Sequence, residues 1–153
     1  MDDLTPVPAE PADATAVRAL VRRAYAPYVP RMGQEPVPMN ADYERAIEDG
    51  DVYLVREGGE LVALVVTREE GDHLLVENIA VAPGWQGRGI GTGILAWAEA
   101  TATSLRYDEV RLYTHETMVE NIAFYRRHGF EITRVAAEDE FRRVHLRKVC
   151  TTR

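Results

Sequence analysis

The pattern of apolar and turn residues along the 153-residue chain predicts an α/β fold built on a mixed, mostly antiparallel sheet with one parallel strand pair at its centre. Three observations carry this. Between 51 and 82, three short apolar runs are separated by turn residues, Gly58-Gly59 and Glu70-Gly71-Asp72, which marks an antiparallel meander. From Leu74 the chain reads strand, Gly-rich loop, helical face and strand again, an order that needs a crossover and places the strand near 112 parallel to the one near 78. Two further runs, Phe130 to Val135 and Phe141 to Val149, close around Ala137-Glu138-Asp139-Glu140.

The elements follow in order. Val17, Leu20, Val21, Ala24, Tyr25 and Tyr28 keep a helical spacing between Pro11 and Tyr28, with Pro11 suited to a first turn. From Tyr28 to Met39 three prolines speak against a regular helix and favour an extended, stiff loop. Asn40 is the expected cap of a short helix ended by Gly50. Strands then run from Val52 to Arg56, Leu61 to Thr67 and Leu74 to Ala82. A helix from Thr92 to Leu105 carries Ile94, Trp97, Ala98, Thr101 and Leu105 on one face, in line with Ile90 just before it. Glu109 to Thr114 is a strand, and Val119 to His128 a short helix stopped by Gly129.

Length and composition bound the function. The chain suffices for one domain, 1–153, and is short for two. No stretch approaches the roughly 18 apolar residues of a membrane span, so no membrane partner is expected. The acidic start, Met1-Asp2-Asp3-Leu4-Thr5, lacks the basic and apolar segments of a secretory signal, and the lone Cys150 has no partner within the chain. Both features fit a reducing, cytoplasmic setting. A net charge of -7 argues against nucleic acid and is compatible with a cationic amine. The histidines and the cysteine show no metal-ligand spacing, so no metal is expected.

The strongest local signal is Gln86-Gly87-Arg88-Gly89-Ile90-Gly91, with glycine at every second position from 87 to 93. Glycines where a strand turns into a helix let backbone approach a ligand, and the first helical turn presents N–H groups without internal partners. Those donors and the positive end of the helix suit a pyrophosphate. A nucleoside-triphosphate loop needs a Lys after its last glycine, and the one lysine is Lys148. A dinucleotide fingerprint fails because Thr92 or Ile94 stands where its third glycine belongs. A Gly-rich surface turn would need one or two glycines, not four in alternation.

These residues resemble the cofactor loop of the GNAT superfamily of N-acetyltransferases, Arg/Gln-x-x-Gly-x-Gly/Ala, through Gln86, Gly89 and Gly91. A second family element, Asn followed by Tyr and then Gly-Phe, is matched by Asn121, Tyr125, Gly129 and Phe130. The resemblance covers most of the chain from Asp51 to Lys148 and implies a sheet with helices on both faces and a parallel pair splayed at the cofactor. It implies acetyl-CoA as donor, a primary amine as acceptor, and direct transfer without a covalent enzyme intermediate. The pantetheine arm would pair with the strand edge Ile79, Ala80 and Val81, which is strand addition by a ligand. An N–H near Val81 would polarise the thioester carbonyl. Gln86, Gly87, Arg88, Gly89, Ile90, Gly91 and Thr92 would hold the pyrophosphate, with Asn121 and Tyr125 on the other side of the arm.

Amine acetylation poses two proton problems: the amine must be neutral and the thiolate must be protonated or stabilised. Tyr125 matches the family's acid, because a phenol with a pKa near 10 keeps its proton at neutral pH. Packing in the core beside Phe124 is the competing role. Glu77 is the candidate base, being a carboxylate in the otherwise apolar run Leu74 to Val81; His115 and Glu116 compete, and a solvent-facing Glu77 paired with arginine is equally compatible. The resemblance puts the acceptor near the first two helices and the last hairpin, hence Tyr25, Tyr28, Arg31, Met39, Tyr43 and the Glu138-Asp139-Glu140 turn. A homodimer is compatible with these features. The alternative from another class is a non-catalytic acyl-CoA-binding sensor or interaction module, which needs neither an acid nor a base.

Overall fold

The computed structural model describes residues 4–138 and 141–150. Its helices are α1 (Ala14–Tyr25), α2 (Val29–Met32), α3 (Tyr43–Glu48), α4 (Ile90–Ser104) and α5 (Val119–Arg127). The strands are β1 (Val7–Pro8), β2 (Val52–Glu57), β3 (Glu60–Glu69), β4 (Leu74–Val81), β5 (Glu109–His115), β6 (Glu131–Glu138) and β7 (Phe141–Val149). They form one sheet in the order β1-β2-β3-β4-β5-β7-β6, mixed and mostly antiparallel, with β4 and β5 parallel. The chain divides into two compact units: Met1–Thr67 with Asn78–Trp97, and Arg68–Glu77 with Ala98–Arg153.

In the first unit, the apolar stripe of α1 buries Ala14, Val17, Leu20, Val21 and Ala24 in one cluster with Tyr43 and Ile47 of α3 and with Val52, Leu54, Leu64, Val66 and Ala80 of the strands. Alternation along β2 sends Tyr53 the other way, where its ring meets Trp97 of α4 at 4.7 Å. Helices therefore pack on both faces of this half of the sheet. Burying so many aliphatic side chains at about 1.5–3 kcal/mol each dominates the stability of the unit.

In the second unit, β5 pairs with β7 along its whole length, from Glu109–Val149 to His115–Arg143, and β7 pairs with β6. Val110, Leu112 and Thr114 of β5 are buried, while Tyr113 and His115 lie on the opposite face. The parallel ladder joins Leu74 to Val110, Leu75 to Arg111 and Val76 to Leu112. It stops there, one residue short of Glu77 and Tyr113, both of which remain in strand conformation.

Several local expectations need correction. The segment from Tyr28 to Met39 is not extended: Pro30 sits at the start of α2, and Val37–Asn40 forms a 3-10 turn behind Pro36. Proline's fixed φ suits the first turn of a helix as well as an extended loop, and short helices exploit this. The cap of α3 is Asp42, whose carboxylate accepts from the Arg45 N–H at 3.0 Å; Asn40 instead donates to Glu35. Helix α4 starts at Ile90 rather than Thr92, and its buried face comprises Ile90, Ile94, Leu95, Ala98 and Ala102, leaving Leu105 exposed. Strand β6 runs on to Glu138, past the expected start of the turn, and Asp139 and Glu140 lie outside the described residues. The two-residue strand β1 was not anticipated.

Candidate functional site

The residues singled out from sequence fall in both units, and each set has its own local geometry. In the first unit, β4 ends at Val81, a short 3-10 turn spans Pro83–Trp85, and α4 begins at Ile90. Gly87 and Gly89 adopt φ of +78° and +85°, a left-handed backbone that strains any residue with a Cβ. A Cβ at either position would meet no atom within 4 Å, so packing within the protein does not account for these glycines. They turn the chain so that the opening residues of α4 lead with backbone. The Gly93 N–H donates to the Gly89 carbonyl at 3.0 Å and opens the hydrogen-bond ladder of α4 directly after the glycine turn. The Gln86 side chain donates to the Val81 carbonyl at 3.2 Å and ties the loop to the end of β4. The Arg88 guanidinium stacks 4.5 Å above the Trp85 ring, and Trp85 Nε1 donates to Glu60. An exposed Gly-rich turn, a helix N-terminus and an adjacent cation form a cradle suited to a polyphosphate.

The proposed acceptor residues of this unit have specific partners. Tyr25 Oη donates to Asn78 Oδ1, Asn78 Nδ2 donates to Tyr43 Oη at 3.1 Å, and Tyr43 Oη donates to the Pro38 carbonyl at 2.6 Å. Asn78 and Tyr43 are buried, so this chain of hydrogen bonds ties α1, α3 and the segment before it to β4. Met39 is buried, and its carbonyl accepts from Arg22. Tyr28 is half-buried with the exposed Arg31 guanidinium 5.1 Å from its ring. Sequence reasoning passed over Asn78, although a polar residue in an apolar strand was the same signal that marked Glu77.

In the second unit, Tyr125 and Phe124 are both half-buried on α5. Phe124 packs on His128 at 4.5 Å, and the Tyr125 ring meets Phe124 and Phe130 edge-on at 5.5 and 6.0 Å. Asn121 lies one turn earlier, its amide donating to Met118 Sδ at 3.7 Å. Glu77 has a half-buried carboxylate 3.5 Å from Arg68. His115 Nδ1 accepts the Thr117 N–H at 3.1 Å, which fixes a neutral ring with its proton on Nε2. Burial holds the pKa of His115 below its usual 6.5, and the nearby Glu116 only partly offsets this. Glu116 is engaged by Arg142 at 3.2 Å. Glu138, at the end of β6, faces His145, Arg143 and Arg134. Burial raises its pKa, but the His145 hydrogen bond and these cations outweigh that and leave it below the usual carboxylate value. Burial also pushes the pKa of the Cys150 thiol up, which disfavours the thiolate. Among the described residues, no cluster of His, Cys, Asp or Glu could hold a metal ion, and no helix is long and apolar enough to cross a membrane.

Comparison with known proteins places the geometry in context. No curated protein matches the sequence. Among solved structures, the ribosomal-protein-S18-alanine N-acetyltransferase from Escherichia coli superposes with a TM-score of 0.77 at 18% identity, covering 97% of this chain and 95% of its own. PaiA N-acetyltransferase from Thermoplasma acidophilum, solved in complex with coenzyme A, gives 0.77 at 14% identity, over 94% of this chain and 97% of its own. Arabidopsis thaliana Naa50 in complex with the bisubstrate analogue CoA-Ac-MVNAL gives 0.74 at 18%, over 94% and 96%. At these identities the likeness shows a shared fold. The family model described as Acetyltransferase (GNAT) family matches residues 16–130, from α1 through the Gly-rich turn and α5 to Phe130, and the chain belongs to that family.

Proposed function

We propose that this protein is an acetyl-CoA-dependent N-acetyltransferase that moves an acetyl group directly to a primary amine, working as a single catalytic domain. The observation that carries this reading is the Gly-rich turn at the start of α4, with Gly87 and Gly89 in left-handed conformations and Arg88 fixed on Trp85. Family membership supplies the reaction class, and the cradle supplies a site for the pyrophosphate of the donor.

In this reading the backbone of Gly87, Gly89, Ile90, Gly91 and Thr92 holds the pyrophosphate, with Gln86 and Arg88 bracing the turn. Ile79, Ala80 and Val81 offer backbone groups to the pantetheine amides, and an N–H near Val81 stabilises charge on the carbonyl oxygen as the tetrahedral centre forms. Asn121 bonds the arm. The amine nitrogen attacks the thioester carbon, the new N–C bond forms, and the C–S bond breaks. The amine proton passes to Glu77 and the Tyr125 proton to the departing sulfur. Occupation of His115 Nδ1 by the Thr117 N–H supports Glu77 over His115 as base, while Glu77 and Glu116 each carry an arginine, Arg68 and Arg142. Tyr28 and Arg31, with Tyr25, Met39 and Tyr43 behind them, frame the acceptor. We assign the protein to the cytoplasm, where its buried Cys150 would stay reduced, and expect no nucleic-acid or membrane partner.

Titration calorimetry of the purified protein with acetyl-CoA, without added metal, tests this reading together with Tyr125→Phe. The wild type is expected to bind, and the variant to bind equally while losing turnover by about 10²- to 10⁴-fold, the usual contribution of a general acid. Absence of binding at millimolar acetyl-CoA removes the basis of the reading. Wild-type turnover in a folded Tyr125→Phe protein moves the acid role elsewhere.

A further inference from the structure

Tyr113 is the residue of β5 that directly follows the last rung of the parallel ladder, as Glu77 is the residue of β4 that follows it. Neither belongs to a β4–β5 pair, so the two side chains stand at neighbouring positions where the strands stop sharing hydrogen bonds. Alternation turns Tyr113 away from the buried Leu112 and Thr114, and from Met118, the residue preceding α5, which accepts from Thr114 Oγ1. On that other face Tyr113 is paired in register with His145, ring to ring at 5.7 Å, and the Arg143 guanidinium covers it at 4.7 Å. The ring is clamped. Arg143 and His145 are in turn held by Glu138, and Arg68 holds Glu77.

The charged groups that act on the phenol come from every neighbouring strand: Glu77 on β4, Arg68 on β3, Arg143 on β7 and Glu138 on β6. Burial pushes the pKa of Tyr113 up, Glu77 adds to this, and the two arginines oppose it. The Glu77 charge is thus felt at the phenol, which stays protonated through the neutral range. A clamped, protonated phenol on β5 and a carboxylate at the neighbouring position of β4 offer two acceptors for one nitrogen.

We propose that Tyr113 binds the acceptor amine, its hydroxyl oxygen accepting one N–H while the other is directed to Glu77. This rests on the reading of Glu77 as the proton acceptor. It carries a consequence for specificity. A neutral primary amine has two N–H bonds and satisfies both groups, whereas a secondary amine has one and leaves either Tyr113 or Glu77 without its partner. Tyr113 therefore selects primary over N-methylated amines.

The test measures acetylation by wild type and Tyr113→Phe of two probes, an alanyl tetrapeptide with a free α-amine and a linear alkyl diamine, each beside its N-methyl derivative. Tyr113→Phe keeps the ring under Arg143 and so keeps the packing. Loss of one hydrogen bond to the reacting nitrogen is expected to lower kcat/KM for the primary amine by roughly ten- to a hundredfold and to shrink its advantage over the N-methyl amine. Acetyl-CoA affinity should stay unchanged. Equal kcat/KM and equal selectivity in variant and wild type would overturn the role of Tyr113 and leave the enzyme reading intact. The wild type carries a second readout that needs no variant: equal rates with primary and N-methyl probes overturn the proposal by themselves. A wild type that binds acetyl-CoA but acetylates neither probe overturns the amine-transfer reading, and this proposal falls with it.

Discussion

His115 shows how one backbone donor decides where a proton can go. With Nδ1 accepting from Thr117, the ring is neutral, and its remaining nitrogen is a donor rather than a base. That distinction is invisible in sequence, where Glu77 is the candidate base and His115 and Glu116 compete with it; it depends on a turn two residues long. The same geometry makes a prediction about stability. The folded-state pKa lies below 6.5 because burial disfavours the charged ring, so between the folded value and 6.5 the unfolded chain binds more protons. The contribution of neutral His115 is therefore complete above the unfolded pKa and is lost as pH falls through the folded one. Urea unfolding of wild type and His115→Gln at about pH 7.5 and about pH 5 checks this. The stability advantage of wild type should shrink at the lower pH. An advantage that stays constant across the range would contradict it.

At the scale of elements, the strands β2 to β4, the Gly-rich turn and the α4–β5 crossover were legible because period and punctuation agree there. Legibility ended where two structures share the same local chemistry. Proline favours the first turn of α2 and the 3-10 turn before α3 as well as an extended loop, and Asn40 and Asp42 are equally good caps until the chain path chooses Asp42. Asn78 was missed for a different reason: its partners Tyr25 and Tyr43 lie 53 and 35 residues away in sequence, and no local pattern announces such a pairing. Asn78→Leu keeps the branched heavy-atom skeleton at a larger volume and removes both hydrogen bonds, leaving two phenols with one partner fewer in a largely buried setting. The expected cost is about 1–3 kcal/mol in denaturant unfolding. No change in midpoint would show that the network contributes nothing to holding α1 and α3 on β4.

For the whole molecule, the order β1-β2-β3-β4-β5-β7-β6 uses two crossovers, one through α4 that makes β4 and β5 a parallel pair and one through α5 that leaves β7 between β5 and β6. The mixed sheet with its parallel pair was within reach of sequence reasoning, and the family through the two motifs at Gln86 to Gly91 and Asn121 to Phe130, whereas β1 and the place of β7 were not. The acceptor was not, because the contacts proposed for its amine, Tyr113 and Glu77, are brought to neighbouring positions by strand pairing rather than by any run of sequence. The central claim is that this fold transfers acetyl groups from acetyl-CoA to primary amines. The most direct measurement is thiol release from acetyl-CoA across a panel of α-amines, alkyl amines and lysine side chains, with the acceptor followed by mass. Stoichiometric release of free thiol with addition of one acetyl group to an amine in the panel is the expected result. Tight binding of acetyl-CoA with no amine acetylated would contradict the claim and mark the protein as an acyl-CoA-binding module instead.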